Sequence, residues 1–332
     1  MEAYIKAISY YLPKRIVSNE DLVKEFPEWT VDKIAKKVGI SERHIAADDE
    51  TAGDMALRAA EMLISEHSID KQTVDFVLLC TQSPDYFLPS TSCIIQNKLG
   101  LPTECGAFDF NLGCSGYEYG LAVSKGLITA GVAKNILLLT AETYNKHIHP
   151  KDKGNRTIFG DGASASLIST DGFARIGEFV LGTDGGGYDR LIRKTGAMRH
   201  LQPLDDFLED DSKNPISSDH LFMDGKAIFD FTSDVVPPMI TGILSKHHLS
   251  MDKISLFVFH QANKYMINYL RKLIGIDKDR FYVFMENVGN TVSSTIPIAL
   301  CEAKKEGRLH GNIILAGFGV GLSYAATLLT CE

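Results

Sequence analysis

Residues 106–122 read Gly-Ala-Phe-Asp-Phe-Asn-Leu-Gly-Cys-Ser-Gly-Tyr-Glu-Tyr-Gly-Leu-Ala. The apolar run from Gly106 to Phe110 is followed by the turn-forming residues Asn-Leu-Gly, and a run of small residues then begins at Cys114. A short apolar run bounded by turn residues is typical of a buried strand. The whole stretch therefore predicts a strand, a tight turn and a helix, with Cys114 at the N-terminus of the helix.

A thiol in that position is a candidate nucleophile. The unpaired backbone N–H groups and the positive end of the helix macrodipole favour the thiolate, which predicts a lowered pKa for Cys114 and the capacity to hold an acyl group. The local pattern also fits a small buried side chain, so the assignment depends on the rest of the chain. Five other cysteines have no reactive context, at positions 80, 93, 105, 301 and 331.

The composition is that of an ordinary globular protein. The chain has 332 residues, of which 45% are hydrophobic and 23% are charged, enough for a sizeable core. Its first residues lack the pattern of a signal peptide, and no apolar run approaches the length of a membrane span. We therefore expect a cytoplasmic protein that does not bind a membrane.

The cysteine, histidine and charge content disfavours several kinds of site. No CxxC pair is present, and His147 with His149 has no further ligand at metal spacing, so we expect surface histidines and neither a metal nor a tightly bound cofactor. The formal net charge of -8 disfavours nucleic acid, because phosphate binding needs a concentrated basic face.

The chain alternates predicted strands and helices, which favours an α/β fold with helices packed on sheets. The predicted strands are 74–80, 105–110, 135–140, 254–259, 281–285 and 312–316. The predicted helices are 51–66, 90–99, 114–130, 226–246, 263–274 and 294–306.

A faint repeat divides the chain into two similar halves, 1–175 and 176–332. Asn-Leu-Gly-Cys, ending at Cys114, is echoed by Asn-Val-Gly-Asn, ending at Asn290, and a second pair of similar strands places His260 just beyond a strand end. Chance repetition of apolar and glycine patterns is the alternative. Two halves related by a pseudo-twofold axis would bring Cys114, His260 and Asn290 together at their junction, where ligand sites form.

Taken with these three residues, seven short motifs in order along the chain resemble the β-ketoacyl-ACP synthase III family of the thiolase-like superfamily. The motifs lie at 39–46 (Gly-Ile-Ser-Glu-Arg-His-Ile-Ala), 114–117 (Cys-Ser-Gly-Tyr), 159–163 (Phe-Gly-Asp-Gly-Ala), 223–229 (Met-Asp-Gly-Lys-Ala-Ile-Phe), 260–263 (His-Gln-Ala-Asn), 289–291 (Gly-Asn-Thr) and 317–321 (Gly-Phe-Gly-Val-Gly). The resemblance implies a thiolase-like fold layered α-β-α-β-α, a homodimer, and a role in fatty acid biosynthesis.

The resemblance also implies a decarboxylative Claisen condensation. Cys114 would take an acyl group from acyl-CoA, and malonyl-ACP would then lose CO2 and attack the acyl-cysteine. His260 and Asn290 would donate hydrogen bonds to the enolate oxygen, which neutral donors can do without quenching a carbanion. The backbone N–H groups of Cys114 and Val320 would form the oxyanion hole, and Phe318 would be the apolar wall that favours loss of CO2.

Three positions depart from the family pattern. Val320 stands where glycine is usual, and Leu322 stands where phenylalanine is usual. Leu88 precedes Pro89 where relatives often carry a phenylalanine that enters the partner subunit's acyl pocket. We therefore expect Leu88 at the acyl pocket and an acyl group of different shape, while the sequence does not identify the primer.

By the same resemblance, CoA would stack on Trp29, place its phosphates near Lys153 and its pantetheine arm near Asn263. An acidic acyl carrier protein would dock on basic residues spaced along one helix, namely Lys264, Arg271 and Lys272. For each basic residue taken singly, a solvated helix face is an equally good interpretation.

Two loops are predicted near these motifs. The stretch 182–187, Gly-Thr-Asp-Gly-Gly-Gly, lacks the context of a phosphate-binding loop and predicts a turn. The segment 201–220 has loop composition and can cover the acyl pocket. Its acidic residues include Asp205, Asp206, Glu209, Asp210 and Asp211.

Three other functions are alternatives to the condensing reaction. A transferase would move the acyl group from Cys114 to an alcohol or amine, with His260 as general base and no decarboxylation. A papain-like hydrolase also uses cysteine, histidine and asparagine in that order, but it surrounds the cysteine differently and lacks the repeat. A non-catalytic partner of a condensing enzyme would typically lack the nucleophile, which is present here.

Overall fold

The structure, a computed structural model, describes residues 1–210 and 214–331. Within them, ten strands form one mixed sheet flanked by helices, which confirms the predicted α/β class. The strands are β1 Tyr4–Tyr11, β2 Arg15–Ser18, β3 Glu42–Ile45, β4 Phe76–Cys80, β5 Gly106–Phe110, β6 Ile136–Glu142, β7 Gly162–Ser169, β8 Ala174–Thr183, β9 Leu191–Ile192, β10 Leu208–Glu209, β11 Pro215–Ile216, β12 Phe222–Met223, β13 Ile254–Phe259, β14 Phe281–Tyr282, β15 Gly311–Gly319 and β16 Ser323–Cys331. The helices are α1 Asn19–Glu25, α2 Val31–Val38, α3 Ala52–Glu66, α4 Thr91–Leu99, α5 Gly116–Thr129, α6 Lys153–Arg156, α7 Gly225–Lys246, α8 Lys264–Ile274 and α9 Thr295–Lys305.

The order of strands in the large sheet is β5-β4-β6-β7-β1-β8-β16-β15-β13-β14. Outward from the β1–β8 junction, both sides have the same chain order and the same directions, with two antiparallel pairs followed by two parallel pairs. This order confirms the repeated α/β unit. The boundary at residue 175 stays a prediction, and β8, the first strand of the second unit, begins at Ala174.

The helices complete five layers. Helices α5 and α9 contact strands of both units and lie between them, whereas α3 and α4 cover one outer face and α7 covers the other, where it packs against α8. The small residues of α5 allow this burial: a Cβ on Gly120 would lie 2.6 Å from Leu138, and one on Gly116 would collide with the Cys80 sulfur. The small-residue run that follows Cys114 is thus a packing requirement of the central layer.

Predicted and observed elements agree closely at the repeat. All six predicted helices are present within two residues of their predicted ends, and Gly100 and Gly275 end the equivalent helices α4 and α8 in the left-handed conformation. The prediction of a strand over 281–285 is too long, because only Phe281 and Tyr282 pair with β13. The turn at 182–187 is confirmed by a short 3-10 turn over Gly185–Gly187.

Helix α7 corrects one expectation. Among the described residues it is the single helix long and apolar enough to cross a membrane by length and composition alone, although no apolar run of that kind was expected. Its apolar face, which includes Phe231, Val236 and Ile240, is buried against β15, β16 and β8. Such a helix is typical of a protein core.

Candidate active site

One cavity of about 380 Å3 collects half of the predicted site residues, including the three expected to be catalytic. It lies at the carboxyl ends of the parallel strands of the two units, where ligand sites commonly form in α/β folds. The predicted residues that line it are Trp29, Cys114, His260, Asn263, Asn290 and Phe318. The structure therefore brings the predicted nucleophile, imidazole and carboxamide to one space.

Cys114 lies just before α5, whose N-cap is Ser115, and only 7% of the cysteine is exposed. Burial raises the pKa of its thiol to about 12, while backbone hydrogen bonds from Val320 and from Cys114 itself lower it. The predicted lowering of the pKa at the helix N-terminus is therefore wrong in direction, because desolvation outweighs the amide groups. A Cβ on Gly319 would lie 2.7 Å from the sulfur, so this position needs glycine.

His260 immediately follows β13, and burial lowers the pKa of its imidazole to about 3. The ring is therefore neutral at physiological pH. Its Nδ1 atom lies 2.7 Å from the hydroxyl of Thr295, and the same hydroxyl lies 3.0 Å from the carbonyl of Val292, so its one proton can serve either acceptor. Nδ1 is thereby held on the protein side, which leaves Nε2 for the cavity.

The carboxamide of Asn290 is fixed at both ends. Its Oδ1 accepts the N–H of Val292 at 2.9 Å, and its Nδ2 donates to the carbonyl of Ala262 at 3.3 Å. Because Oδ1 is occupied, the second N–H of Nδ2 is the polar group that remains for a ligand. Val292 has a φ of 56°, rare for a β-branched residue, and it serves both Asn290 and Thr295.

Phe318 lies in β15 and is 1% exposed. Its ring meets the ring of His260 edge to face, with centroids 6.0 Å apart, so it forms an apolar wall beside the imidazole. The two unusual residues of this loop do not fill the space at the sulfur. Val320 packs towards Gly113, whose Cβ would lie 2.5 Å from it, and Leu322 is buried against Gly187.

The entrance of the cavity is basic. Trp29 is half-buried, and the ammonium groups of Lys33 and Lys37 lie 5.2 and 5.3 Å from its ring centroid. Lys37 also lines the cavity, and sequence reasoning missed it although its signal, two lysines four apart on one helix, was present. Asn263 caps α8 by accepting the N–H of Met266 at 2.9 Å.

The remaining predicted basic residues lie outside the cavity. Lys153 does not line it, and its ammonium is paired with Glu28 next to Trp29. Lys264 and Lys272 are exposed on α8. Arg271 is half-buried and donates to the carbonyl of Ile276 at 2.7 Å, so it also stabilises the end of that helix.

Leu88 does not line the cavity that holds Cys114, and its side chain is 83% exposed. The segment 201–220 does reach the main cavity. Asp210, Asn214 and Ile216 line it, from or beside the short hairpin of β10 and β11, while Asp211 lies outside the described residues. A covering role for this segment stays a prediction.

His147 differs from its predicted surface role. Burial and the neighbouring Arg193 lower the pKa of its imidazole to about 4, and both ring nitrogens have polar partners. No group of three or more His, Cys, Asp or Glu side chains within 1–210 and 214–331 is placed to hold a metal ion. The expectation of a metal-free enzyme without a tightly bound cofactor is not tested by this geometry.

Comparison with known proteins identifies the family. The family profiles "3-Oxoacyl-[acyl-carrier-protein (ACP)] synthase III" and its C-terminal counterpart match residues 108–185 and 244–331. A β-ketoacyl-[acyl-carrier-protein] synthase III of Clostridium perfringens (strain SM101 / Type A) is 37% identical, with 98% of both chains covered. One of Clostridium tetani (strain Massachusetts / E88) is 35% identical over 99% of this chain and 98% of its own.

Comparison with solved structures supports the same family assignment. A crystal structure of a 3-oxoacyl-(acyl-carrier-protein) synthase III matches with a TM-score of 0.97 and 45% identity, covering 99% of this chain and 100% of its own. The 3-oxoacyl-(acyl carrier protein) synthase III of Pseudomonas aeruginosa PAO1 matches with a TM-score of 0.87 and 30% identity, covering 100% and 99%. The thiolase-like arrangement predicted for the fold is thus confirmed, and this chain belongs to the 3-oxoacyl-[acyl-carrier-protein] synthase III family.

Proposed function

We propose that this protein joins an acyl-CoA primer to malonyl-ACP by decarboxylative Claisen condensation, with Cys114 as the acyl carrier. The observation that carries the proposal is that Cys114, a neutral His260 and a fixed Asn290 line one cavity next to the ring of Phe318. A neutral imidazole and a carboxamide can stabilise an enolate without protonating it, which suits a carbanion intermediate.

In the first step the Cys114 sulfur attacks the thioester carbon. The new carbon–sulfur bond to Cys114 forms, the bond to the CoA sulfur breaks, and the proton of the Cys114 thiol leaves with the CoA thiol. The N–H groups of Cys114 and Val320 already point to the sulfur and serve the oxyanion that develops next to it. Since the resting thiol has a pKa of about 12, proton transfer accompanies attack.

In the second step malonyl-ACP loses CO2, and the electrons of the broken bond pass to the thioester enolate. Nε2 of His260 and Nδ2 of Asn290 donate to the enolate oxygen, while Phe318 withholds solvation from the departing carboxylate. The carbanion attacks the acyl carbon, the carbon–sulfur bond to Cys114 breaks, and the released sulfur takes a proton from solvent. The tautomer with a proton on Nε2 requires the Thr295 hydroxyl to donate to Nδ1 in place of the Val292 carbonyl.

We expect the substrate to enter the cavity on the side where Lys33 and Lys37 lie beside Trp29. Trp29 and Lys37 would receive the CoA nucleotide, Lys153 would reach its phosphates once released from Glu28, and Asn263 would bind the pantetheine arm. The acyl carrier protein would dock on Lys264, Arg271 and Lys272 of α8, the helix that begins directly after Asn263 of the cavity.

We further propose a homodimer built from two-unit subunits divided near residue 175. Leu88 is exposed on a segment shared with two other exposed apolar residues, Tyr86 and Phe87, which is the expected character of an interface. In the dimer Leu88 would close the acyl pocket of the partner subunit. A cytoplasmic location accords with this role.

The function is tested by incubating the protein with a panel of acyl-CoAs and then with malonyl-ACP. We expect an acyl adduct on Cys114 by intact-protein mass spectrometry, followed by release of CO2 and a β-ketoacyl-ACP. An adduct that passes to alcohols or amines without CO2 would indicate a transferase, and hydrolysis of the adduct alone would indicate a thioesterase. Absence of any adduct would overturn the proposal and leave the non-catalytic alternative.

A further inference from the structure

A second cavity begins where Val320 stands. Its lining includes Gln82, Tyr144, His147, Leu191, Arg193 and Val320. Leu191 and Leu221 line both this cavity and the one that holds Cys114, so the two spaces adjoin at these side chains. A Cβ on Gly113, the neighbour of Cys114, would lie 2.5 Å from Val320 and 2.7 Å from the Gln82 oxygen, so two lining residues of the second cavity lie next to the Cys114 backbone. The second cavity is therefore the space that an acyl group on Cys114 would enter past Val320.

The walls of this extension are unusually polar for an acyl pocket. The hydroxyl of Tyr144 donates to Gln82 Oε1 at 2.5 Å, and Asn111 also lines the space, where its Oδ1 accepts from Gln82 Nε2 at 2.9 Å. These groups are hydrogen-bonded to one another, so the wall presents polar atoms to the cavity in place of a hydrocarbon surface. A hydrocarbon chain gains less by packing against such a wall than against an apolar one.

A chain of hydrogen bonds positions the guanidinium group of Arg193, which also lines the second cavity. Arg193 Nη1 donates to His147 Nδ1 at 2.7 Å, and because arginine can only donate, the ring proton of this neutral histidine is on Nε2. Nε2 lies 3.3 Å from the hydroxyl of Ser83, which donates to the buried carboxyl of Glu142 at 2.9 Å. Arg193 is exposed, yet its direction is set by buried partners.

The charge of Arg193 is not neutralised within the described chain. No carboxylate of residues 1–210 or 214–331 forms an ion pair with it, whereas the neighbouring Arg190 lies within 4 Å of both Asp189 and Asp224. Asp85 is the carboxylate that shares the cavity, and its oxygens lie against Gly53 at the start of α3. A planar guanidinium fork facing a polar cavity is suited to a carboxylate.

We propose that the preferred primer is an acyl-CoA that ends in a carboxylate, the half-thioester of a short dicarboxylic acid. This inference rests on the proposed function, since it names the acyl group that Cys114 receives. The thioester carbon is attacked by Cys114, the chain passes Val320 and Gln82, and the terminal carboxylate pairs with Arg193. The carboxylate takes no part in bond changes and is carried unchanged into the β-ketoacyl product.

The test compares acyl-CoAs of equal chain length, butyryl against succinyl and pentanoyl against glutaryl. We expect the carboxylated member of at least one pair to acylate Cys114 at least about tenfold faster, because a two-point, charge-assisted pair between guanidinium and carboxylate contributes that much. Arg193→Leu should lower the succinyl-to-butyryl or glutaryl-to-pentanoyl ratio by at least about tenfold, and Arg193→Lys should lower it less.

Arg199→Leu is the matched control, because Arg199 belongs to the same segment but does not line the second cavity, and it should change neither ratio. Rapid loading and condensation of butyryl-CoA with no loading of succinyl- or glutaryl-CoA would overturn this inference while supporting the condensing function. An Arg193→Leu protein with unchanged ratios would also overturn it. Failure of every acyl-CoA to load would remove both proposals together.

Discussion

The turns that end at Cys114 and at Asn290 occupy equivalent places in the two units yet have different backbones. In the first, Cys114 stands four residues beyond β5 and two before α5, and Gly113 keeps an ordinary φ. In the second, Asn290 stands eight residues beyond β14 and five before α9. There Gly289 has a φ of 81° and Val292 one of 56°.

The difference shows how one repeated scaffold supplies two kinds of chemistry. The short turn delivers a thiol directly to the N-terminus of a helix, whose free amides suit an oxyanion. The longer, left-handed turn uses its own backbone to clamp a carboxamide and, through Thr295, an imidazole. On the proposed function, the first turn serves bond formation at sulfur and the second serves charge stabilisation.

The largest expected difference between the two turns is the loss of acyl loading when the Cys114 sulfur is removed. Cys114→Ala should lower acyl loading by at least about a thousandfold, because no other side chain in the cavity can form the thioester. Malonyl-ACP should still be decarboxylated, since the donors of the second turn remain. Loading measured by mass spectrometry and CO2 release measured separately distinguish the two activities, and equal loss of both would contradict the division of roles.

Asn290→Ala should give the opposite pattern. Loss of one preorganised donor to an enolate oxygen is expected to slow decarboxylation by about a hundredfold or more, while acyl loading persists. Asn287→Ala is the control, because Asn287 is exposed in the same turn. Rates of CO2 release and of adduct formation provide the measurement, and a selective loss of loading would refute the assignment.

A smaller effect is expected at Thr295, which we regard as a positioning residue. Thr295→Val removes the hydroxyl that contacts His260 Nδ1, so decarboxylation should fall about tenfold with little change in folding. Thr295→Ser should restore the rate and its pH profile. Thr291→Val is the matched control, since the buried hydroxyl of Thr291 has no hydrogen-bond partner within the described chain. Failure of serine to rescue would argue against a role for the hydroxyl.

The smallest expected effects concern the free energy of unfolding, which should fall by different amounts when Gly289 and Gly113 are replaced by alanine. Gly289→Ala places a side chain at a φ of 81°, with its Cβ 3.2 Å from the backbone nitrogen of Gly160, and should destabilise the fold by about 2 kcal/mol. Gly113→Ala meets only the movable ends of Val320 and Gln82, so it should cost less, while slowing acyl loading. Thermal unfolding of the two variants measured in parallel provides the test, and a lower melting temperature for Gly113→Ala than for Gly289→Ala would contradict the prediction.

The parallel strands and the helices that follow them could be predicted from the pattern of apolar and turn residues. The parallel strands β4, β5, β6, β13 and β15 are apolar runs between turn residues, and their helices were predicted to within two residues. The antiparallel strands β1, β7, β8 and β16 were missed. Strand β7 reads Gly-Ala-Ser-Ala-Ser-Leu-Ile-Ser and is buried throughout, so small polar residues there hide the apolar signal.

Site prediction divided in the same way. Cys114, His260 and Asn290 could be found because turn motifs and strand ends are local and recur in both units. The pKa of Cys114 could not, because desolvation depends on what covers the sulfur in three dimensions. Lys153 was expected at a phosphate but is paired with Glu28, a partner distant in sequence.

The sequence by itself determined the alternation of strands and helices and the duplicated unit, with Cys114 and Asn290 at its matching turns and His260 at a strand end, since each depends on local periodicity and turn chemistry. Only the tertiary structure decided the charge state of those residues and the polar second cavity. Gln82, Tyr144, His147 and Arg193 come from separate segments, and their convergence depends on how the two units pack.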